Sequence, residues 1–359
     1  MLELPRINEM TIVAGVAIDR DPASGEIKLT FETIDTSGPV KQQGIRHILL
    51  ESYGKTIFEA ARNAKKRSIN KLYYGHMQVV VISEEIARNE DISGIMDFFL
   101  RDAECRETMY LVISQEKTAG ELLGAQSIEN PIISYNMQKI VENDHKDTLS
   151  IPITEIYKAF NIINSKGISL ALPVFHLAKN FGQPVVEANG TAVYKGEKMT
   201  GMLTAEESRY YLFAVGKVEG GVIPFSSEPG GGADTTLEIS KNQTSRSFKH
   251  ENGQFKIRVR TETEVFLNDY KRPTNEIDLE RIASLENTAQ ASLKQSIGEV
   301  IKKVQTEFGS DIFGFGDMIH KQDFKLWDKY KENWEETFAG LNIEVESKIN
   351  IVNTASIKE

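Results

Sequence analysis

Tyr74–Ser114, YGHMQVVVISEEIARNEDISGIMDFFLRDAECRETMYLVIS, reads as strand, helix, helix and strand in a single run. Met77–Ile82 is rich in β-branched residues and has the length of a strand. Ser83 stands where its hydroxyl can accept from the first turn of a helix beginning at Glu84. Asp91 precedes a second amphipathic segment, with Ile92, Ile95, Met96 and Phe99 three and four residues apart, and Met109–Ser114 returns to strand. Strands and helices in this order specify an α+β domain.

Working outward, Thr11–Ile18 and Ile27–Ile34 flank the turn residues Asp21–Gly25 and form a hairpin. Thr56 and Glu59 open a helix in capping-box spacing, its stripe being Phe58, Ala61, Lys65 and Ile69, with Ile57, Ala60 and Ala64 adding to the apolar side. Further helices are expected near Ala119–Leu123, Ser134–Val141 and Ile153–Ile163. From Lys166, glycines and prolines punctuate short β-rich pieces, which places a module boundary there. Thr204 and Glu207 repeat the capping-box spacing ahead of a helix to Val215.

After Val222–Phe225 and the turn cluster Glu228–Gly232 come the strands Leu237–Ile239, Thr244–Phe248 and Phe255–Phe266. The last alternates Phe255, Ile257 and Val259 with Lys256, Arg258 and Arg260, so one face of its sheet is wet. Glu276–Phe308 is the longest helical signal, with Ile282, Leu285, Ala289, Leu293, Ile297, Ile301 and Val304 in register. Gly309 ends it, Asp311 restarts a short helix, Asp323 caps another, and Ile343–Ile351 closes the sheet. The expected architecture is multi-domain α+β, with mixed and antiparallel sheets and packed helices. It has three modules: an α+β domain at 1–165, a β-rich module at 166–225, and an α+β domain at 226–359 carrying the long helix 276–308.

The 359 residues exceed what one core usually serves. A net charge of −10 with a single short basic cluster, Lys65-Lys66-Arg67, argues against nucleic acid as a partner and makes membrane attachment a matter of a covalent lipid or a partner protein. The lone Cys105 excludes an internal disulfide framework. Catalytic, cofactor and metal signals are lacking. The six histidines do not pair at ligand spacing, and no G-x-S-x-G elbow occurs. The Pro229–Gly232 run precedes a strand, not the helix a phosphate cradle needs, and Gly314 and Gly316 suit a tight break between helices.

Four blocks together resemble one family. Arg6-Ile7-Asn8-Glu9 with the following Thr11–Asp19, then Tyr74–Ser114, then KGISLALPVF and Asn189–Phe225, and finally Asp311–Ile351 are similar to the C subunits of spore germinant receptors, in family order and over nearly the whole chain. The resemblance implies a three-module α+β lipoprotein on the outer face of the spore inner membrane. Its partners would be the receptor's integral membrane A and B subunits, and its anchor an N-terminal lipid on a cysteine absent from this sequence. It implies a non-enzymatic part in receptor assembly and signalling in germination. The alternative is an extracytoplasmic solute-binding lipoprotein that holds a small ligand in a cleft.

Two sets of residues are candidates for contact or for structure. Arg101, Asp102 and Arg106 either form an ion-pair network closing a helix against the next strand or meet a partner subunit. Trp327 and Trp334, on one stripe with Phe324, Lys331 and Phe338, either pack on the sheet or anchor an interface.

Overall fold

The computed structural model describes residues 10–35, 46–227, 233–270 and 279–354. Residues 6–9 of the first resembling block, the 228–232 cluster and the start of the long helix at 276–278 lie outside them. The chain forms two compact units, one from Met1–Glu142, Ile153–Ser165 and Leu170–Met202, the other from Asn143–Pro152, Lys166–Ser169 and Leu203–Glu359.

The first unit is built on a nine-stranded sheet among the described residues. Strands β1 (Met10–Arg20), β2 (Ile27–Asp35) and β3 (Arg46–Gly54) form an antiparallel meander. On its other side β1 runs parallel to β4 (Lys71–Tyr73) and β5 (Val79–Ser83), and β5 is parallel to β6 (Tyr110–Ser114). All five residues of β5 are buried, as expected of a central parallel strand. Helices α2 (Glu84–Asn89) and α3 (Ser93–Arg101) make the crossover from β5 to β6. Ser83 caps α2, its hydroxyl accepting from Ile86 N, whereas α3 begins beyond Asp91 with Ile92 at its cap.

The sheet continues from β6 to β7 (Ala171–Asn180), which is parallel to it, then to β8 (Gln183–Lys195) and β9 (Lys198–Leu203). The residues of the expected middle module, 166–225, divide between the two units, with 166–169 in the second. Residues 170–202 belong to the first unit and 203–225 to the second. The glycines there mark hairpin turns, not a linker: Gly182 and Gly196 have φ of +81° and +60° between paired strands.

Two buried carboxylates tie helices to this sheet. Glu32 on β2, fully buried, accepts from the backbone N–H of Ile133 and of Ser134 at 2.7 Å each, and from the Ser134 hydroxyl, at the start of α5 (Ile133–Asp147). His47 Nδ1 lies 2.7 Å from the same carboxylate. Asp19 on β1 likewise accepts from Ala119 N and Gly120 N at α4 (Gly120–Leu123). A carboxylate at a helix start satisfies N–H groups that have no partner inside the helix.

Helix α1 (Ile57–Asn63) corrects an expectation. Thr56 caps it, accepting from Glu59 N at 3.1 Å, but the Glu59 carboxylate takes Lys55 N instead of closing the box on Thr56. Ala60 and Ala64 face the core, while Phe58 and Ile69 of the expected stripe are exposed. Close approach to β3 leaves room only for small side chains: a Cβ on Gly54 would sit 2.4 Å from Ala60 N.

Among the described residues the second unit carries a four-stranded sheet, β10 (Val222–Phe225), β11 (Thr235–Glu251), β12 (Gln254–Tyr270) and β13 (Asn342–Thr354), in that order. The expected pair of short strands is one long strand, β11, with a register shift between Ile239 and Lys241. Asn252 and Gly253, both at positive φ, supply the two-residue turn into β12. β13 lies parallel to β12, with Lys256 and Arg258 paired to Glu344 and Glu346 on the wet face. Helix α7 (Ala205–Val215), the next helix in sequence after α6 (Ile156–Ile163), has the complete Thr204/Glu207 capping box and ends on Gly216 in the left-handed region.

Long helix α8 (Leu279–Lys303) packs along β13 with Leu285, Ala289, Leu293, Ile297 and Ile301 buried. Its Gln290 and Glu286 side chains accept from the backbone N–H of Ile349 and Ile351, at 3.2 and 2.7 Å. These contacts satisfy edge groups that a strand on the rim of a sheet leaves open. A π-helical turn, Val304–Phe308, continues α8 to Gly309. There Gln305, buried, donates from Nε2 to the carbonyls of Phe338 and Leu341.

Candidate functional site

Helix α3 buries Ile95, Met96 and Phe99 and leaves Arg101 at its exposed end. Arg101 Nε donates to Asp97 Oδ1 at 2.8 Å, one turn back, with 80% of its side chain in solvent. Asp102 stops the helix with extended backbone, and its Oδ1 accepts from Glu104 N at 2.9 Å. Arg106 is exposed, and its carbonyl accepts from Met109 N. Among the described residues no ion pair joins Arg101, Asp102 and Arg106 to one another. Each serves its own turn, and the tie from this loop to the sheet is the Glu104–Lys71 pair, which sequence reasoning missed. Cys105 is half-buried beside the Asp102 and Glu104 carboxylates, an environment that favours the neutral thiol. Burial first, then Asp102 and Glu104, push its thiol up to about 12.

The two tryptophans occupy a different environment, inside the second unit. Helices α9 (Phe315–Gln322), α10 (Phe324–Tyr330) and α11 (Trp334–Ala339) follow one another closely, Asp323 capping α10 through Leu326 N. Trp327 and Trp334 are 2% and 5% exposed and meet edge to face at 5.4 Å. Trp334 also stands edge-on to Phe255 of β12 at 6.0 Å, and His320 lies against Trp327. Fused rings this deeply enclosed contribute burial, not an exposed anchor.

Asp311, which the sequence suggested as a helix start, is the polar centre of this cluster. Its Oδ1 accepts from Gly314 N at 2.9 Å, and its Oδ2 accepts from Gly316 N at 2.9 Å and Trp334 Nε1 at 3.0 Å. The helix itself begins later, after Gly314 at φ +73°. Full burial raises the Asp311 pKa to about 6, against the opposing pull of the Gly316, Phe315, Trp334 and Gly314 N–H groups. Gly316 is required for a second reason. A Cβ there would lie 2.6 Å from the Trp334 indole and 2.7 Å from Gly167 Cα. The Gly314/Gly316 pair thus shapes a break between helices and seats a tryptophan; the Trp334–Asp311 contact spans 23 residues, and no local pattern signals it.

One further concavity belongs to the first unit. A polar groove of about 540 Å³ is lined by Lys28, Thr30, Leu49, Glu51, Arg67 and Thr118, among others. Lys28 and Glu51 pair across it at 2.5 Å, holding the carboxylate below its usual range.

Comparison with known proteins accounts for both units. The spore germination protein N-terminal domain matches residues 5–177, and the family described as spore germination B3/GerAC like, C-terminal, matches residues 189–355. Spore germination protein B3 of Bacillus subtilis (strain 168) is 24% identical over 359 residues, covering 98% of this chain and 93% of that protein. Spore germination protein KC of the same organism is 25% identical over 321 residues, covering 84% of this chain and 77% of that protein. The crystal structure of the GerBC protein has the same fold, with a TM-score of 0.63 and 22% identity over 94% of this chain and 97% of that one. Because the two domain matches run in tandem through both units, the chain belongs to the spore germination B3/GerAC-like family, the C subunits of germinant receptors.

Proposed function

We propose that this protein is the C subunit of a nutrient germinant receptor, held on the outer face of the spore inner membrane by an N-terminal lipid and assembled with the integral membrane A and B subunits. Its work is mechanical: changes in subunit contacts pass from ligand sensing in the complex to ion release. The observation that carries this reading is the tandem of two spore-germination domains over residues 5–177 and 189–355. The polar chemistry described above fits a scaffold, since Asp19, Glu32 and Asp311 spend their carboxylates on backbone and indole N–H groups. Arg101 and Arg106, both exposed beside the end of α3, supply a cationic contact surface for a partner subunit.

The test is co-purification of the lipidated protein from spore inner membranes with the A and B subunits, wild type against R101E and an unlipidated form. Recovery of a complex that depends on the lipid, and loss of it in R101E at unchanged melting temperature, is expected. A protein recovered without either membrane subunit refutes the assignment. The groove lined by Lys28, Glu51 and Arg67 supports a second reading, a solute-binding lipoprotein. A rise in melting temperature with candidate amino acids or sugars, abolished in K28A, would favour it.

A further inference from the structure

Residues 55–71, from Lys55 to Lys71, carry Lys55, Arg62, Lys65, Lys66, Arg67 and Lys71 against the single acid Glu59, a local net charge of +5 in a chain of −10. All six basic side chains are exposed. Lys55, Lys65 and Lys66 form no ion pair among the described residues. Arg62 lies over the Phe58 ring at 5.0 Å, which places its charge beside an aromatic face.

The same segment exposes two large apolar side chains, Phe58 at 57% and Ile69 at 103%. Phe58 shares the outer side of α1 and its 3-10 extension Ala64–Lys66 with Arg62 and Lys65, opposite the buried Ala60 and Ala64, and Ile69 projects from the bend that follows. The segment ends where Lys71 pairs with Met10 at the first described residue of β1.

We infer that this face is a docking surface for an anionic lipid bilayer: Lys55, Lys65 and Lys66 meet headgroup phosphates while Phe58 and Ile69 enter the interface. Charge complementarity selects the occupant, because this segment carries +5 in a chain whose net charge is −10 and joins that charge to exposed apolar side chains. A flexible basic stem beside a projecting apolar group is the arrangement that lies in a membrane interface. The charge and exposure of this face are independent of the receptor assignment. Given an N-terminal lipid, this face would supply the second of the two weak attachments that stable anchoring needs.

The test is co-sedimentation of the purified unlipidated protein with large unilamellar vesicles of phosphatidylcholine containing 0, 20 or 40% phosphatidylglycerol (roughly neutral to strongly anionic), at low ionic strength. Wild-type binding should rise with phosphatidylglycerol. It should fall about 5-fold for each lysine neutralised, roughly 25-fold for K65A/K66A. I69S should weaken binding without changing the melting temperature, since Ile69 touches little of the fold. Salt at a Debye length of about 3 Å should abolish binding. K241E/K249E, two exposed lysines on the other unit, should bind as wild type does. Equal binding to neutral and anionic vesicles, undiminished binding by K65A/K66A, or no binding to any vesicle overturns the inference, the last pointing to a protein surface as the occupant of this face.

Discussion

Replacing glycine with alanine should move stability in opposite directions at Gly316 and Gly298, although both sit in helices. In a helix interior alanine is favoured over glycine by about 1 kcal/mol, because glycine gives up more backbone freedom on folding. At Gly298 in α8 an added Cβ meets nothing within 4 Å, so G298A should gain roughly 0.5–1 kcal/mol. At Gly316 the same atom would lie 2.6 Å from Trp334 Cε2 and Nε1 and 2.7 Å from Gly167 Cα, when ordinary carbon contacts need about 3.5 Å or more. The indole can retreat only by lengthening its 3.0 Å bond to Asp311, and Gly167, at φ +83° with its own missing Cβ facing Gly316 and Trp327, has no side chain to move. Overpacking of about 1–3 kcal/mol plus a weakened hydrogen bond to a carboxylate gives a loss of about 3 kcal/mol for G316A.

Urea unfolding followed by tryptophan emission suits the measurement, since the only two tryptophans, Trp327 and Trp334, are both in the second unit and both buried. The midpoint should shift down for G316A and up for G298A with the slope unchanged. In W334F, which removes the indole nitrogen and shrinks the ring, G316A should cost at least about 1 kcal/mol less than in the wild-type background, the mark of coupled neighbours. A G316A loss below about 1 kcal/mol, or additivity in the double variant, would refute the claim that this glycine seats the tryptophan.

Gln305→Leu should destabilise the second unit by about 2 kcal/mol, because the carbonyls of Phe338 and Leu341 lose their shared buried donor; the same urea titration measures it. Thr204→Ala should cost about 1 kcal/mol by breaking the capping box of α7, and restoring the cap with T204S should recover most of it. Stability should also depend on pH through Asp311. Its folded pKa of about 6 lies above the ordinary 3.8, so the folded state holds the proton more tightly and stability falls as pH rises between roughly 4 and 6. Over that window wild type should lose on the order of 3 kcal/mol relative to D311N, which has no proton to release; parallel profiles for the two proteins would show that Asp311 does not titrate there.

Local chemistry made much of this fold legible. Thr204 and Glu207, Ser83 and Asp323 cap the helices their positions announce, and the three- and four-residue spacing from Leu285 to Ile301 defines the buried face of α8. Family resemblance rested on blocks whose order matched the domain matches. What escaped was set by distant partners. β3 gives no clean alternation, because Ile48 and Leu49 at the sheet's rim are both exposed. Phe58 and Ile69 have the spacing of a core face but are exposed, since small side chains fill the close approach of α1 to Gly54 and the helical turn ends at Lys66, before Ile69. Asp311 looked like a helix cap because its second role depends on an indole on another helix, and Arg101 found its partner within its own turn, where an i, i+4 acid was available at Asp97.

The paired side chains of α8 on the rim of β13 act as a gauge of sliding. Glu286 and Gln290 are four residues apart on a helix, an axial step of about 6 Å. Ile349 and Ile351, the groups they hold, are two apart on a strand, a step of about 6.6 Å. Because the two rulers nearly coincide, both bonds close together at one alignment. A shift of the helix by a single strand residue turns outward N–H groups into carbonyls and unmakes both at once. The longest helix of the chain is thereby fixed in phase with the sheet by polar contacts, while its greasy face, which would tolerate several offsets, supplies only the adhesion.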